Sequence, residues 1–305
     1  SLQKMAESTA ALYIEQDTAI ASLRKATSTY KEYDDIVVQI ERDNLGFGIS
    51  TGDAAKSVQS LYTGMTNFVL LGPKVREQLA QTTARLEKLG VAAETTTAVM
   101  EIATRVLGMT GAAAANLSLE LAASAEAMSM PINAFTENFV KSMPILAKWG
   151  SQAVPVFKKV QAASRSLGIE VNQLLDIVGK FDTFEGAAEA AGKLNTILGG
   201  NLLNSTELVL ANEAERVKMI QKTIVASGRS WESMNRHEKQ SVATALGISD
   251  MTVASKLMTE GLGDFTKGID KHALSEEEVK KRMDATRSIT EKLTEVWRMF
   301  AVSLQ

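Results

Sequence analysis

An unbroken spacing of three and four residues runs through Leu2, Met5, Thr9, Leu12, Gln16, Ala19, Leu23, Ala26, Tyr30, Tyr33, Val37 and Ile40. Only a helix brings positions spaced this way onto one face, and a repeat of this kind makes a coiled-coil-like seam. A single helix over residues 1–43 is therefore expected, with Leu12, Leu23, Val37 and Ile40 as the apolar members of its seam. At ~1.5 Å per residue it would be about 60 Å long. Asn44, Gly46 and Gly48 end the pattern. The other end of the chain mirrors it. Ser275 and Glu278 form a capping box, Glu276 and Glu277 suit a helix N-terminus, and Val279, Met283, Thr286, Thr290, Leu293, Trp297, Phe300 and Leu304 repeat the spacing. This second heptad helix, 275–305, is expected to continue past Gln305, with Leu293, Trp297 and Phe300 in its seam.

The rest of the composition agrees with helices. Aromatic residues make up 5% of the 305 residues and prolines number four, while alanine, leucine, methionine, glutamate and lysine are abundant. With 45% hydrophobic and 23% charged residues, the chain is long enough for one large or two ordinary domains with real cores. The expected fold is all-α, a bundle of helical-hairpin repeats over 44–274 flanked by long coiled-coil-like terminal helices. There is no cysteine, which removes disulfides, thiolate nucleophiles and Cys-ligated zinc. The Ala-rich stretch from Gly111 to Met130 is interrupted by Glu120 and Glu126 and does not read as a bilayer span.

Within the middle region one bend recurs. Gly48, Gly90, Gly168 and Gly247 are each followed by an apolar residue, Ile49, Val91, Ile169 and Ile248, and three of them are preceded by leucine. Six and ten residues after each glycine stand Ala54 and Val58, Thr96 and Met100, Leu174 and Val178, Val253 and Leu257. These four glycines are the predicted structural hinges between amphipathic helices. A looser elbow at Met130-Pro131-Ile132 brings the spacing to roughly 40 residues, the size of a helix hairpin. Asn204-Ser205-Thr206-Glu207 is expected to start another helix, capped by Ser205 or Thr206. Six helix pairs result. Gly64-Met65-Thr66 and Gly108-Met109-Thr110-Gly111 are a second recurring bend, read as chain reversal or close helix packing.

Gln240–Leu257 imitates a helix-turn-helix, with Gly247 at the turn. Its second helix, Ser249 to Glu260, carries Asp250 and Glu260 against Lys256 alone, whereas base and phosphate contacts need Arg, Lys, Asn or Gln on that face. A net charge of −3 and a pI near 5.7 also argue against a phosphate-tracking surface. If the same bend recurs elsewhere, the copy at Gly247 needs no special function. His237 and His272 are the only histidines and have no zinc-ligand spacing, so they read as surface residues and no metal is expected. Gly199-Gly200-Asn201 and Gly261-Leu262-Gly263 lack a Walker lysine and a preceding strand and read as helix stops, so no cofactor is expected. No serine stands in a strand-turn-helix context, and nothing nominates a catalytic nucleophile. The chain is accordingly expected not to be an enzyme. Thirteen methionines read as gap filling, and the alanine density of "GMTGAAAANLSLELAASAEAMSM" lets helices approach closely while burying little apolar area per residue.

Two segments, "LYTGMTNFVLLGPKVREQLAQTTARLEKLGVAAETTTAVMEIATRVLGMTGAAAANLSLELAASAEAMSMP" and "SMNRHEKQSVATALGISDMTVASKLM", resemble phage tail tape-measure proteins, which mix heptads with Ala/Gly-rich helical repeats. The resemblance covers roughly residues 45 to 260 and rests on the style of repeat. It implies a helical virion protein that sits in the tail, sets its length and leaves ahead of the DNA. Implied partners are other tail proteins, the tube and the baseplate hub, besides self-association through the terminal helices; the implied location is the virion tail, and the host cytoplasm during assembly. No catalytic residue of the family falls in this region. A helix-turn-helix regulator and a cytosolic helical adaptor or scaffold are the other classes compatible with the residues.

Overall fold

The computed structural model describes residues 2–259, 273–288 and 291, and among them there is no strand. In chain order the helices are α1 Leu2–Thr27, α2 Asp34–Asp43, α3 Thr51–Gly64, α4 Pro73–Lys88, α5 Ala93–Glu101, α6 Gly111–Ala127, α7 Ile132–Leu146, α8 Ala153–Leu167, α9 Val171–Gly179, α10 Phe184–Leu198, α11 Ser205–Leu210, α12 Glu213–Ala226, α13 Arg236–Leu246, α14 Met251–Thr259 and α15 Glu276–Thr286. They gather into two compact units, Ser1–Val140 with Lys271–Gln305, and Lys141–Asp270. The all-α expectation holds. The boundaries, however, do not fall at 43 and 275. Among the described residues of the two terminal segments, Leu23, Val37, Ile40, Val279 and Met283 are buried in the first unit.

The predicted single helix over 1–43 is two helices. The chain leaves α1 at Thr27, Ser28 takes a left-handed conformation at φ 54°, and α2 begins at Asp34. Thr27-Ser28-Thr29 offers hydroxyls that compete for backbone carbonyls: Thr27 Oγ1 donates to Leu23 O at 2.8 Å and lies 2.7 Å from Thr29 Oγ1. Arg24 Nε then binds Asp34 Oδ1 at 3.1 Å across the bend. The turn carries Tyr33 inward, where its ring stacks on Phe68 at 6.0 Å and meets Tyr62 edge-on at 5.7 Å. Leu23, Val37 and Ile40 are buried within the unit, and Leu12 is half-buried, so these residues do not form one continuous outward seam.

The second heptad helix also stops early. The Ser275/Glu278 capping box is present, with Ser275 N–H donating to Glu278 Oε2 at 2.9 Å and Glu278 N–H to Ser275 Oγ at 3.2 Å. But α15 ends at Thr286 and Arg287 is extended (φ −78°, ψ 137°), held by its Nη2 donating to Gly46 O at 3.1 Å. Val279 and Met283 are core residues. Leu293, Trp297 and Phe300 lie outside the described residues, as do His272 and Gly261-Leu262-Gly263.

In the first unit the Ala-rich α6 packs against α4 and α5. Ala114, Ala115, Ala122, Ala123 and Ala125 are buried, and a Cβ on Gly111 would overlap Val75 Cγ1. Gly64 plays the same part on α3, since a Cβ there would stand 2.7 Å from Thr97 Cγ2. Beside it, Ser60 Oγ and Thr97 Oγ1 share a hydrogen bond of 2.8 Å between α3 and α5. Small residues thus allow close helix packing at Gly64 and Gly111, whereas Gly108 takes a left-handed conformation (φ 67°) with open space at its Cβ position. The core of the second unit includes Phe157, Val160, Leu174, Val178, Phe181, Leu194, Ile220, Trp231, Val242, Leu246 and Leu257. By burial of apolar area this core is worth more per residue than the alanine-lined contacts of α6.

Candidate functional site: left-handed bends and a buried arginine

Gly48, Gly90, Gly168 and Gly247 all lie in the left-handed region, at φ 67°, 88°, 58° and 67°. Each closes the same pair of hydrogen bonds. The glycine N–H donates three residues back, to Leu45, Glu87, Arg165 and Thr244 O. The N–H of the following apolar residue donates five back: Ile49 to Asn44 O at 3.4 Å, Val91 to Leu86 O at 3.0 Å, Ile169 to Ser164 O at 3.1 Å and Ile248 to Ala243 O at 2.8 Å. This is the Schellman arrangement, which satisfies the last carbonyls of a helix and places an apolar residue against its final turn. Ile49, Val91, Ile169 and Ile248 are buried accordingly. So are Ala54, Val58, Thr96, Met100, Leu174, Val178 and Leu257 on the helices that follow, while Val253 is half-buried.

A fifth bend of this form has no glycine. Ser129 stands at φ 50°, its N–H donates to Glu126 O at 2.8 Å, and Met130 N–H donates to Ala125 O at 2.8 Å. It occupies the looser elbow before Pro131, 39 residues from both Gly90 and Gly168. The remaining gap is closed differently. At Gly199 (φ 83°) the helix ends with both Gly199 and Gly200 N–H on Asn195 O at 3.0 Å. The Asn195 side chain then orders the loop, its Oδ1 accepting from Leu202 N at 3.0 Å and Leu203 N at 2.8 Å. The helix predicted near Ser205 is α11, but its cap is Asn204, whose Oδ1 accepts from Thr206 N at 2.9 Å. An Asx turn satisfies that N–H better than the Ser205 or Thr206 hydroxyl, each of which already lies inside the helix.

Three bends carry a cation from a sequence-distant element. A Cβ on Gly48 would stand 3.2 Å from Arg287 Cζ, on Gly168 3.1 Å from Lys256 Nζ, and on Gly247 on top of the Lys180 ammonium. Lys256 Nζ donates to Gly168 O at 2.8 Å. The single basic residue on α14, which a DNA reading would aim at phosphate, thus caps the end of α8. Nothing stands within 4 Å of the Cβ position at Gly90.

The second unit also holds a polar cluster that sequence spacing did not disclose. Arg216, on α12, is 1% exposed. Its guanidinium donates to Leu208 O at 2.8 Å, Val178 O at 3.0 Å and Val209 O at 3.1 Å, and pairs with Asp182. Lys148 Nζ reaches both Asp182 oxygens and Glu213 Oε1 at 2.8 Å, and Trp149 Nε1 donates to Glu213 Oε2. Glu213 is 0% exposed. Burial opposes the charge on Asp182, but hydrogen bonds from Arg216 and Lys148 outweigh it and hold the carboxyl below its usual range. Burial likewise opposes the charge on Lys148, and Asp182 with Glu213 outweigh it, so its ammonium is held above its usual range. With two cations matched by two carboxylates and Arg216 spread over three helix-end carbonyls, the cluster can bind chain ends together; its donors are already occupied. The partners lie 34 and 64 residues apart, beyond any local pattern.

His237 is exposed on the first turn of α13 and lines an open cleft of about 630 Å³ with Lys193, Thr196, Gln240, Ser241 and Thr244. Among the described residues no three His, Asp or Glu side chains gather as a metal site, and no helix is long and apolar enough to cross a membrane. Comparison of the chain with protein-family models, with curated proteins and with solved structures gives no match.

Proposed function

We propose that this chain is a noncatalytic structural protein of a phage tail, of the tape-measure kind, built from helical hairpins in tandem. The observation that carries the reading is the recurrence of one Schellman bend, about 40 residues apart at Gly48, Gly90, Ser129 and Gly168 and again after a double interval at Gly247. Tandem units of equal length let chain length encode distance, and the alanine-lined contacts of α6 hold adjacent helices by little apolar area. Both properties suit a protein that is laid down as a ruler and later leaves through a tube. Tube and baseplate-hub proteins are the partners in this reading. Self-association would use the outer face of α1, where Tyr13 and Ile14 are 52% and 68% exposed, because Leu23, Val37 and Ile40 are already buried.

Mass spectrometry of purified particles of the encoding phage should find the chain in the virion. In-frame removal of residues 130–168 should shorten the tail, by about 58 Å if those residues span it as one helix. Absence from particles overturns the virion assignment, and unchanged tail length overturns the measuring role.

A further inference from the structure

The two bends of the second unit are fastened by each other's helices. The helix that follows Gly168 is α9, and the residue just beyond it, Lys180, lays its ammonium on the α-carbon of Gly247. The helix that follows Gly247 is α14, and its Lys256 returns to donate to Gly168 O at 2.8 Å. Each lysine thus sits at the carbonyl end of a helix that precedes the other bend, where the helix dipole and the last carbonyls favour a cation. Both glycines serve the left-handed backbone, and a side chain would in addition take the lysine's place at Gly247 and crowd it at Gly168. Asp176 and Asp250 line the same small cleft as Lys180 beside Gly247.

We propose that Lys180 and Lys256 form a reciprocal latch, in which the bends at Gly168 and Gly247 open together and not independently. Releasing either lysine removes one of the two ties between the bends, Lys256 to Gly168 O or Lys180 to Gly247, and so weakens both Schellman closures. The bend at Gly90, where nothing stands within 4 Å of the Cβ position, lies outside the latch and serves as the internal reference. The device is a place where a compact helical unit can begin to extend, and it holds whatever the biological role of the chain.

Native-state hydrogen exchange on the full chain tests it, read at the Ile169 and Ile248 amides that close the two bends and at Val91 as reference. Lys180→Met and Lys256→Met keep the aliphatic stem and remove the charge. Each single variant should accelerate exchange at both Ile169 and Ile248 by about two- to fivefold, with Val91 unchanged. The double variant should exceed the larger single effect by little, because the second lysine has nothing left to hold. In the unaltered protein, raising salt from low concentration to about 1 M should accelerate the same two amides, which keeps the test open if a variant folds poorly. An effect confined to the bend that the altered lysine touches, or no effect at either amide, overturns the latch.

Discussion

At Gly247 one added methyl group meets two obstacles, a left-handed backbone that disfavours any Cβ and the Lys180 ammonium lying where the Cβ would go. At Gly90 only the first applies. Gly90→Ala should therefore cost about 1–2 kcal/mol, the backbone penalty alone. Gly247→Ala should cost more than that, as read from urea midpoints for each variant; equal losses would mean that Lys180 moves aside freely. Arg216 is the other residue on which much depends. Arg216→Met would leave three carbonyls without their donor and take one of its two cationic partners from Asp182, and a loss of roughly 3 kcal/mol or more is expected. Lysine would not substitute, since one ammonium cannot reach a fork of three carbonyls and a carboxylate. Thermal unfolding of Arg216→Met and Arg216→Lys, followed through the Trp149 and Trp231 fluorescence of the same unit, checks both.

Among elements, the cluster that ties the turn after α7, the turn after α9 and the start of α12 gives the second unit a pH dependence with a definite sign. Asp182 titrates lower in the folded chain than unfolded, so its contribution is present above about pH 4 and is lost as pH falls through its depressed value. Lys148 titrates higher in the folded chain, so its contribution is complete below about pH 10 and is lost as pH rises through its raised value. Between these limits Asp182 and Lys148 should add no slope. Asp182→Asn should flatten the acid limb of the stability profile; an unchanged limb would assign it to other carboxylates such as Asp53, which burial opposes but Lys88 and Ser50 hold low. Helix α1 supplies a different expectation. Tyr13→Lys with Ile14→Lys should abolish any self-association seen by sedimentation, while stability changes by no more than about 0.5 kcal/mol, because both positions are exposed.

Across the whole molecule, the residues legible beforehand were those whose role is local. Gly48, Gly90, Gly168 and Gly247 announced left-handed bends because the Schellman closure spans six residues and leaves a glycine-apolar pair in the chain. Ser129 could be found only loosely, through Pro131, because serine gives no such signal. The three-and-four spacing showed helices but not their ends: it ran through Thr27–Tyr33, where hydroxyls and the Arg24–Asp34 pair break the helix, and through Arg287, which bonds Gly46 O. Helical period, left-handed glycines and capping boxes are set by neighbours within one turn, so the amino-acid order alone determined an all-α chain, its bends and several of its helix starts. Which faces met, that Leu23, Val37, Ile40, Val279 and Met283 turn inward, that Lys256 caps α8 and that Arg216 gathers Asp182 and three distant carbonyls were decided only by the tertiary structure, because those contacts join residues far apart in the chain and their energy exists only once packing has excluded water.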